Sequence, residues 1–280
     1  MKVVRTISAM QRLANGLRQE GRLGFVPTMG ALHDGHLELV RRARSLCDHV
    51  VVSIFVNPIQ FGPKEDFGRY PRNFKRDKDL LKQVGADVIF YPSADEMYPK
   101  DYATYVEVER LGRYLCGASR PGHFRGVATV VAKLFNIVNP HVAFFGQKDA
   151  QQAFIIRRMV RDLNFDIRLV VVPTKREPDG LALSSRNVYL SPEERKEAPV
   201  LFRALVLAKK LIRAGERNPA RVKKAMRRLI QSQPKARIDY IEITDTREIV
   251  PVRRIKGEVL IALAVFFGRT RLIDNLILRV

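Results

Sequence analysis

The first two thirds of the chain alternate short, nearly continuous apolar runs with stretches of helical periodicity. The apolar runs are rich in β-branched and aromatic residues and span residues 23–26, 50–56, 88–91, 142–145 and 167–172. Runs of this kind are typical of strands that are buried on both faces of a parallel sheet. In the intervening stretches apolar residues recur at spacings of three and four, over residues 37–46, 76–84, 127–137 and 151–163. Strand and helix in alternation predict a Rossmann-like, doubly wound α/β domain.

The pattern changes after Pro173. Ser191-Pro192-Glu193-Glu194 has the cap, the proline and the acidic first turn of a helix start, and Asn218-Pro219 opens a second helix. Three strands are then predicted, at residues 237–243, 259–267 and 270–278. The sequence therefore predicts a larger α/β domain over residues 1–175 and a smaller α+β domain over residues 176–280.

The chain is strongly basic, with 50 Lys and Arg against 29 Asp and Glu and a formal net charge of +21. Such a field favours anionic partners, among them nucleotides, carboxylates and nucleic acid. The excess lies in both parts of the chain, with 26 basic and 17 acidic residues over 1–173 and 24 and 12 over 174–280. The densest basic run, residues 221–228, contains no aromatic residue and is typical of a solvated helix face. No nucleic-acid partner is therefore expected.

Hydropathy and cysteine usage point to the cytoplasm. The longest apolar runs, residues 50–56 and 259–267, are far shorter than the roughly 20 residues that a membrane-spanning helix needs. The amino terminus lacks the hydrophobic region of a signal peptide. Cys47 and Cys116 are far apart and form no C-x-x-C pair, so both are interpreted as reduced thiols. We expect a cytoplasmic protein without a membrane partner.

The segment PTMGALHDGHLEL, residues 27–39, follows the first long strand and leads into a helix. Ligands of parallel sheets bind at the carboxyl ends of the strands, and a helix amino terminus offers N–H groups to phosphate. His33 and His36 can donate to phosphate oxygens from this turn, and Gly30 and Gly35 let the backbone approach a ligand. Alternatively, the histidines cap or line a surface turn, and a zinc site would need a third ligand that the sequence does not indicate.

Three further segments carry candidate polar groups. Gln60 follows a strand and offers both a donor and an acceptor. Gly146-Gln147-Lys148-Asp149 also follows a strand, and Lys148 suits phosphate while Asp149 suits ribose hydroxyls. Ser184, Ser185 and Arg186 suit a leaving pyrophosphate. Taken alone, each is also compatible with a solvated loop or turn.

The pattern H-x-G-H after a first strand resembles the nucleotidyl-transferring α/β superfamily that includes class I aminoacyl-tRNA synthetases. The resemblance narrows over the ordered segments PTMGALHDGH, FVNPIQFG (55–62), YPR (70–72), RPGHFRGVATVV (120–131), FFGQKDAQQ (144–152) and DGLALSSRN (179–187). In this order and spacing, over nearly the whole chain, they resemble the pantothenate synthetase family.

The resemblance implies an activity. It is the ATP-dependent condensation of pantoate with β-alanine to pantothenate through a pantoyl adenylate, with release of AMP and pyrophosphate. It implies Mg²⁺ as the companion of ATP, a homodimer, an ATP- and pantoate-binding domain over residues 1–175 and a lid over residues 176–280.

The resemblance also implies a set of site residues. The catalytic set is His33, His36, Lys148, Ser184, Ser185 and Arg186. ATP also contacts Met29, Gly146 and Asp149. Pantoate contacts Met29, Gln60, Arg120 and Gln152, Tyr70 borders the β-alanine site, and Asp77 is the metal-site residue. From the residues alone, Asp77 is interpreted as a helix cap or as an acid in the first turn of a helix.

Two other classes of function remain open at this stage. A nucleotidyltransferase would share H-D-G-H but keep the nucleotide in its product. A basic nucleic-acid-binding module would use residues 191–235 and predicts salt-sensitive RNA binding by that fragment. Neither alternative explains the glutamines.

Overall fold

The chain contains a six-stranded parallel sheet, as seen in a computed structural model that describes residues 1–63 and 65–280. Its strands are β1 (Lys2–Val4), β2 (Leu23–Thr28), β3 (His49–Ile54), β4 (Val88–Phe90), β5 (Val142–Gly146) and β6 (Arg168–Val172). They lie in the order β1-β4-β3-β2-β5-β6, and every neighbouring pair is parallel. The predicted α/β class with a parallel sheet is confirmed.

Helices connect these strands and continue into the last third of the chain. They are α1 (Ile7–Glu20), α2 (Asp34–Arg44), α3 (Phe74–Gln83), α4 (Ala94–Met97), α5 (Cys116–Ser119), α6 (His123–Val138), α7 (Ala150–Asp162), α8 (Pro192–Glu197), α9 (Val200–Arg213) and α10 (Pro219–Gln231). Neither β1 nor α1 was predicted from the sequence. Met10 and Ala14 of α1 are buried, and Ile7 and Leu17 extend the same apolar face at spacings of three.

The strand order places a topological switch point at β2. The chain passes from β2 to β3 on one side, and β5 pairs with β2 on the other, with Gly24 opposite Val142. Ligands of open parallel sheets bind at such a point, beyond the carboxyl ends of the strands. The segment that leaves β2 there is Met29–His33, which leads directly into α2.

The chain forms two compact units. The first consists of Met1–Glu109, Arg120–Gly146 and Ile155–Pro173, and the second of Arg110–Ser119, Gln147–Phe154 and Thr174–Val280. The domain division at residue 175 stays a prediction.

The second unit contains a three-stranded antiparallel sheet. Its strands are β7 (Ala236–Asp245), β8 (Glu258–Phe267) and β9 (Thr270–Arg279), in that order. Helices α9 and α10 contribute Leu205 and Met226 to an apolar core that includes Ile261 of β8. The predicted smaller α+β part is confirmed.

A buried ion pair fixes the segment before Ser184 in the second unit. Arg176 Nη1 and Nη2 lie 2.6 and 2.9 Å from the two carboxylate oxygens of Asp274, whose side chain is 1% exposed. Arg176 Nη1 also donates to the carbonyl of Gly180 at 3.0 Å. Gly180 has a φ of +92°, and a Cβ there would lie 2.2 Å from a ring carbon of Phe202. Only glycine therefore fits this turn.

Within the described ranges, no helix has both the length and the apolar character needed to cross a bilayer.

Candidate active site

His33 and His36 cap the amino terminus of α2 together. His33 is the N-cap residue, and its Nδ1 accepts from the backbone N–H of Gly35 at 3.2 Å. His36 Nδ1 accepts in return from the backbone N–H of His33 at 3.3 Å. The two rings lie 4.0 Å apart between centroids. This reciprocal arrangement is a capping box in which histidines replace the usual Ser or Thr and Glu or Gln.

The caps also fix which ring nitrogen carries the proton. A nitrogen that accepts a hydrogen bond has no proton, so a neutral His33 or His36 carries its proton on Nε2. Capping thus makes each ring an Nε2–H donor at a helix amino terminus, where the backbone favours anions.

Asp77 holds the turn that precedes His33. Its Oδ2 accepts from the backbone N–H of Ala31, and its Oδ1 from that of Leu32, both at 2.9 Å. Gly30 and Ala31 both have positive φ, 81° and 49°. Positive φ is uncommon for a residue other than glycine, so Ala31 depends on its surroundings to hold this conformation. Asp77 is 1% exposed and lies on α3, so a helix remote in sequence sets the path of the histidine turn.

The predicted role of Asp77 as a magnesium ligand stays a prediction, and the geometry of this carboxylate argues against it. Both carboxylate oxygens already accept backbone hydrogen bonds, and burial raises the pKa of the carboxyl although those bonds and Arg76 act to lower it. Metal-bound carboxylates need oxygens that face the ion. In the part of the chain that the structure describes, no group of three or more His, Cys, Asp or Glu is arranged to hold a metal.

Gln60 lies in a 3₁₀ turn, Pro58–Gln60, just beyond β3. Its Oε1 accepts from Asn57 Nδ2 at 2.9 Å, and its Nε2 lies 3.1 Å from Met29 Sδ. Asn57 Oδ1 in turn accepts from the Tyr98 hydroxyl at 2.8 Å. The structure thus brings the predicted residues Met29 and Gln60 into direct contact.

Arg120 is engaged within the first unit. Its Nε donates to Glu65 at 2.6 Å, and its Nη1 lies 2.9 Å from His123 Nε2. His123 Nδ1 lies 2.8 Å from the backbone carbonyl of Gln60, which can only accept. Arg120 therefore reaches the Gln60 turn through His123, and its charge is opposed by Glu65.

Tyr70 is 4% exposed, and its ring meets Phe61 edge to face at 6.1 Å. Phe61 follows Gln60 directly. The residue predicted to border the β-alanine site therefore lies in the same aromatic group as the Gln60 turn.

Lys148 and Asp149 belong to the second unit, in the 3₁₀ turn Gln147–Asp149 that follows Gly146. The backbone carbonyls of Gln147 and Lys148 both accept from Asn275 Nδ2, at 2.9 and 2.8 Å. Asn275 lies on β9 and is 4% exposed. Lys148 Nζ lies 3.9 Å from Asp149 Oδ1.

The two adjacent glutamines of α7 have different surroundings. Gln151 is buried, donates to the carbonyls of Leu111 and Tyr114 at 2.8 Å each, and accepts from the N–H of Cys116 at 3.0 Å. Gln152, the predicted pantoate residue, is half-buried. Gln151 is therefore committed to holding the 111–116 segment, and the assignment of Gln152 to pantoate stays a prediction.

Ser184 caps the 3₁₀ turn Ser185–Tyr189, its Oγ accepting from the backbone N–H of Arg186 at 3.2 Å. Ser184, Ser185 and Arg186 are all half-buried. Asn187 Nδ2 anchors the turn by donating to the carbonyl of Ala182 at 3.1 Å. The predicted phosphate contacts thus share one short, capped turn of the second unit.

Residues 2–277 match the model of the family described as Pantoate-beta-alanine ligase. The chain belongs to this family. The activity predicted from the sequence, ATP-dependent ligation of pantoate to β-alanine in pantothenate biosynthesis, is thereby confirmed.

Relatives in the pantoate-β-alanine ligase family cover the chain from end to end. The pantothenate synthetase of Pelotomaculum thermopropionicum is 59% identical over 279 residues, which are 99% of each chain. A solved pantothenate synthetase from Thermus thermophilus has a TM-score of 0.94 and 50% identity, with 99% of each chain covered. The ligase of Francisella tularensis, solved in complex with β,γ-ATP and β-alanine, has a TM-score of 0.80 and 34% identity, covering 99% of this chain and 97% of its own.

Sequence reasoning missed three residues that hydrogen-bond to candidate site residues or to residues beside them, each within its own unit. Asn57 stood inside the quoted segment FVNPIQFG, and its position directly after a strand was the available signal. Asn275 carried a weaker signal, as a polar residue in an apolar strand. Tyr98 carried none, because its contact with Asn57 joins residues 41 positions apart.

Proposed function

We propose that this ligase makes pantothenate through a pantoyl adenylate, and that His33 and His36 stabilise the phosphates of ATP during adenylation. The observation that carries the proposal is the histidine capping box, which leaves both rings as Nε2–H donors at the amino terminus of α2. Donors fixed before the reaction need no reorganisation when charge develops, and each contributes on the order of 3 kcal/mol.

In the first step, a carboxylate oxygen of pantoate attacks the α-phosphorus of ATP, and the bond to pyrophosphate breaks. Gln60 and Gln152 hold pantoate, with Met29 as an apolar wall and Arg120 acting through His123. Lys148, Ser184, Ser185 and Arg186 bind the phosphates, and Gly146 and Asp149 bind the ribose. All of these assignments are proposals that rest on the resemblance and on the local geometry described above.

In the second step, the amine of β-alanine attacks the acyl carbon of the adenylate, and AMP leaves with the bridging oxygen. Tyr70 borders the amine site in this proposal. No side chain forms a covalent bond with substrate, because adenylation already supplies the leaving group. The work of the protein is therefore positioning, charge stabilisation and exclusion of water, to which residues 176–280 contribute as a lid.

We also propose the metal ion, the oligomeric state and the cellular compartment of the enzyme. ATP enters with Mg²⁺, which neutralises phosphate charge, and Asp77 is left outside that metal's ligands because its oxygens are engaged. The enzyme works as a homodimer. It resides in the cytoplasm, where ATP is available.

An isotope experiment tests the adenylate. Pantoate labelled with ¹⁸O in its carboxylate should transfer one label to AMP for each pantothenate formed, because the attacking oxygen leaves with the nucleotide. Label found in phosphate or pyrophosphate would instead indicate attack at another phosphorus.

A further inference from the structure

The orientation of the Asn57 amide is fixed by a backbone group. One terminal atom of Asn57 lies 3.0 Å from the carbonyl oxygen of Gly126. A backbone carbonyl can only accept, so that atom must be the amide nitrogen Nδ2. The other terminal atom, Oδ1, then faces the hydroxyl of Tyr98 at 2.8 Å. Because Oδ1 has no proton, Tyr98 must be the donor.

Tyr98 is held in place by its own surroundings. The ring of Tyr102 meets it edge to face at 4.9 Å, and Lys133 Nζ lies 5.6 Å from its centroid. Burial raises the pKa of the Tyr98 hydroxyl, so it stays protonated and remains a donor. Asn57 is 1% exposed, and its Oδ1 therefore depends on Tyr98 for a partner.

The orientation of the Asn57 amide determines the orientation of the Gln60 amide. The same Nδ2 of Asn57 lies 2.9 Å from one terminal atom of Gln60, which must therefore be the acceptor Oε1. The Gln60 nitrogen Nε2 is then turned to the opposite side, 3.1 Å from Met29 Sδ. A thioether is a weak acceptor, so this contact leaves most of the donor capacity of Nε2 unspent.

The backbone of Gln60 is fixed as firmly as its side chain. A Cβ at Gly126 would lie 2.4 Å from the carbonyl oxygen of Ile59 and 2.7 Å from Gln60 Cα, so only glycine lets α6 approach this closely. His123 Nδ1 holds the Gln60 carbonyl at 2.8 Å. The main chain of Gln60 is therefore fixed in position and does not shift when a ligand binds.

We propose that Tyr98 is a positioning residue which, through Asn57, makes Gln60 a dedicated hydrogen-bond donor to the acid substrate. Gln60 then recognises an oxygen that accepts, such as a carboxylate or a hydroxyl lone pair, and disfavours a group that can only donate. The inference rests on the proposed assignment of Gln60 to pantoate and specifies which half of the amide meets the substrate.

Tyr98→Phe tests whether the hydrogen bonds from Tyr98 to Asn57 and from Asn57 to Gln60 position the Gln60 amide. Tyr102→Phe is the matched control. The two rings touch, but among the described residues the Tyr102 hydroxyl has no hydrogen-bond partner. Tyr98→Phe leaves Asn57 Oδ1 unpaired and should raise the KM for pantoate about tenfold, with the KM for ATP unchanged. Tyr102→Phe should change neither. An unchanged pantoate KM in Tyr98→Phe, or an equal rise in both KM values with a lower Tm, would overturn the proposal.

Two substitutions of Gln60 test separately whether Gln60 binds pantoate and whether it does so as a hydrogen-bond donor. Gln60→Ala removes the donor, whereas Gln60→Glu places an acceptor where the substrate also presents one. Pantoate should bind Gln60→Glu no more tightly than Gln60→Ala, as measured by titration calorimetry at pH 8. Tighter binding by Gln60→Glu would overturn the donor claim. Wild-type pantoate affinity in Gln60→Ala would instead overturn the assignment of Gln60 to pantoate, and the donor inference with it.

Discussion

Asp77 Oδ1 accepts a hydrogen bond from the backbone N–H of Leu32 at 2.9 Å, across 45 positions of sequence. Its second oxygen accepts from the neighbouring Ala31. A carboxylate can satisfy two adjacent N–H groups at once, and no neutral side chain of the same size can. The contact therefore holds the turn that delivers His33 to the amino terminus of α2.

Asp77→Asn should destabilise the protein by about 1 to 3 kcal/mol, because the amide places an N–H₂ group against one of the two backbone donors. Adenylate formation should slow as well, because the His33 turn loses its support. Urea unfolding and single-turnover kinetics measure the two effects. Asp79→Asn, an exposed residue on the same helix, is the control. If excess Mg²⁺ restored activity to Asp77→Asn, Asp77 would be a metal ligand after all.

The capping role of the histidines calls for variants that keep the cap. His33→Asn retains an N-cap acceptor, and His36→Gln retains the reciprocal one, while both lose the Nε2–H donor. We expect unfolding free energies within about 0.5 kcal/mol of wild type and a loss of adenylation of the order of 100-fold. His33→Ala should add about 1 kcal/mol of destabilisation through the lost cap. Normal adenylate formation in both cap-retaining variants would remove the histidines from the reaction.

Arg186→Ala should slow the first half-reaction alone. A guanidinium that binds pyrophosphate stabilises charge that develops as the α-phosphorus bond breaks, and pyrophosphate has left before β-alanine reacts. Rapid-quench measurements with ATP and pantoate, and separately with pre-formed pantoyl adenylate and β-alanine, distinguish the steps. Equal slowing of both half-reactions would contradict the assignment.

Asn275→Asp should weaken ATP binding more than pantoate binding. The substitution places a carboxylate oxygen against the carbonyls of Gln147 and Lys148, where the amide now donates to both. Repulsion there displaces the Lys148 turn, which we assign to phosphate. Separate titrations with ATP and pantoate measure the difference, and a larger loss of pantoate affinity would reverse the assignment.

The ion pair of Glu65 with Arg120 gives a pH dependence of stability. Burial raises the pKa of Glu65, but the hydrogen bond and the charge of Arg120 lower it more, so the net shift is downward. A depressed folded-state pKa contributes stability above the ordinary glutamate pKa of about 4.3, and that stability is lost as the pH falls through the folded-state value. The unfolding free energy of Glu65→Gln should therefore differ from wild type more at pH 7 than at pH 3. An equal difference at both pH values would show that charge is not involved.

The sequence predicted the parallel sheet because its central strands are buried on both faces and leave nearly continuous apolar runs such as residues 50–56. The sequence also predicted that Met29 and Gln60 contact the same substrate, and this prediction came from the family resemblance and not from periodicity. Helix α1 was missed although Ile7, Met10, Ala14 and Leu17 recur at helical spacings.

The supporting contacts could not be predicted, because each joins distant positions by a single hydrogen bond. Asp77 to Leu32, Tyr98 to Asn57 and Asn275 to Lys148 leave no periodic or compositional trace. Such contacts can be identified only in the folded structure, where the two segments lie side by side. The prediction of a metal role for Asp77 lacked this information.

Pyrophosphate release in a single turnover tests the central claim most directly. The enzyme in excess is mixed with ATP and pantoate, with and without β-alanine, and pyrophosphate is measured over time. The adenylate mechanism predicts release in the absence of β-alanine, in a burst stoichiometric with active sites and no slower than with β-alanine present. If pyrophosphate appeared only when β-alanine was added, a free adenylate intermediate would be contradicted.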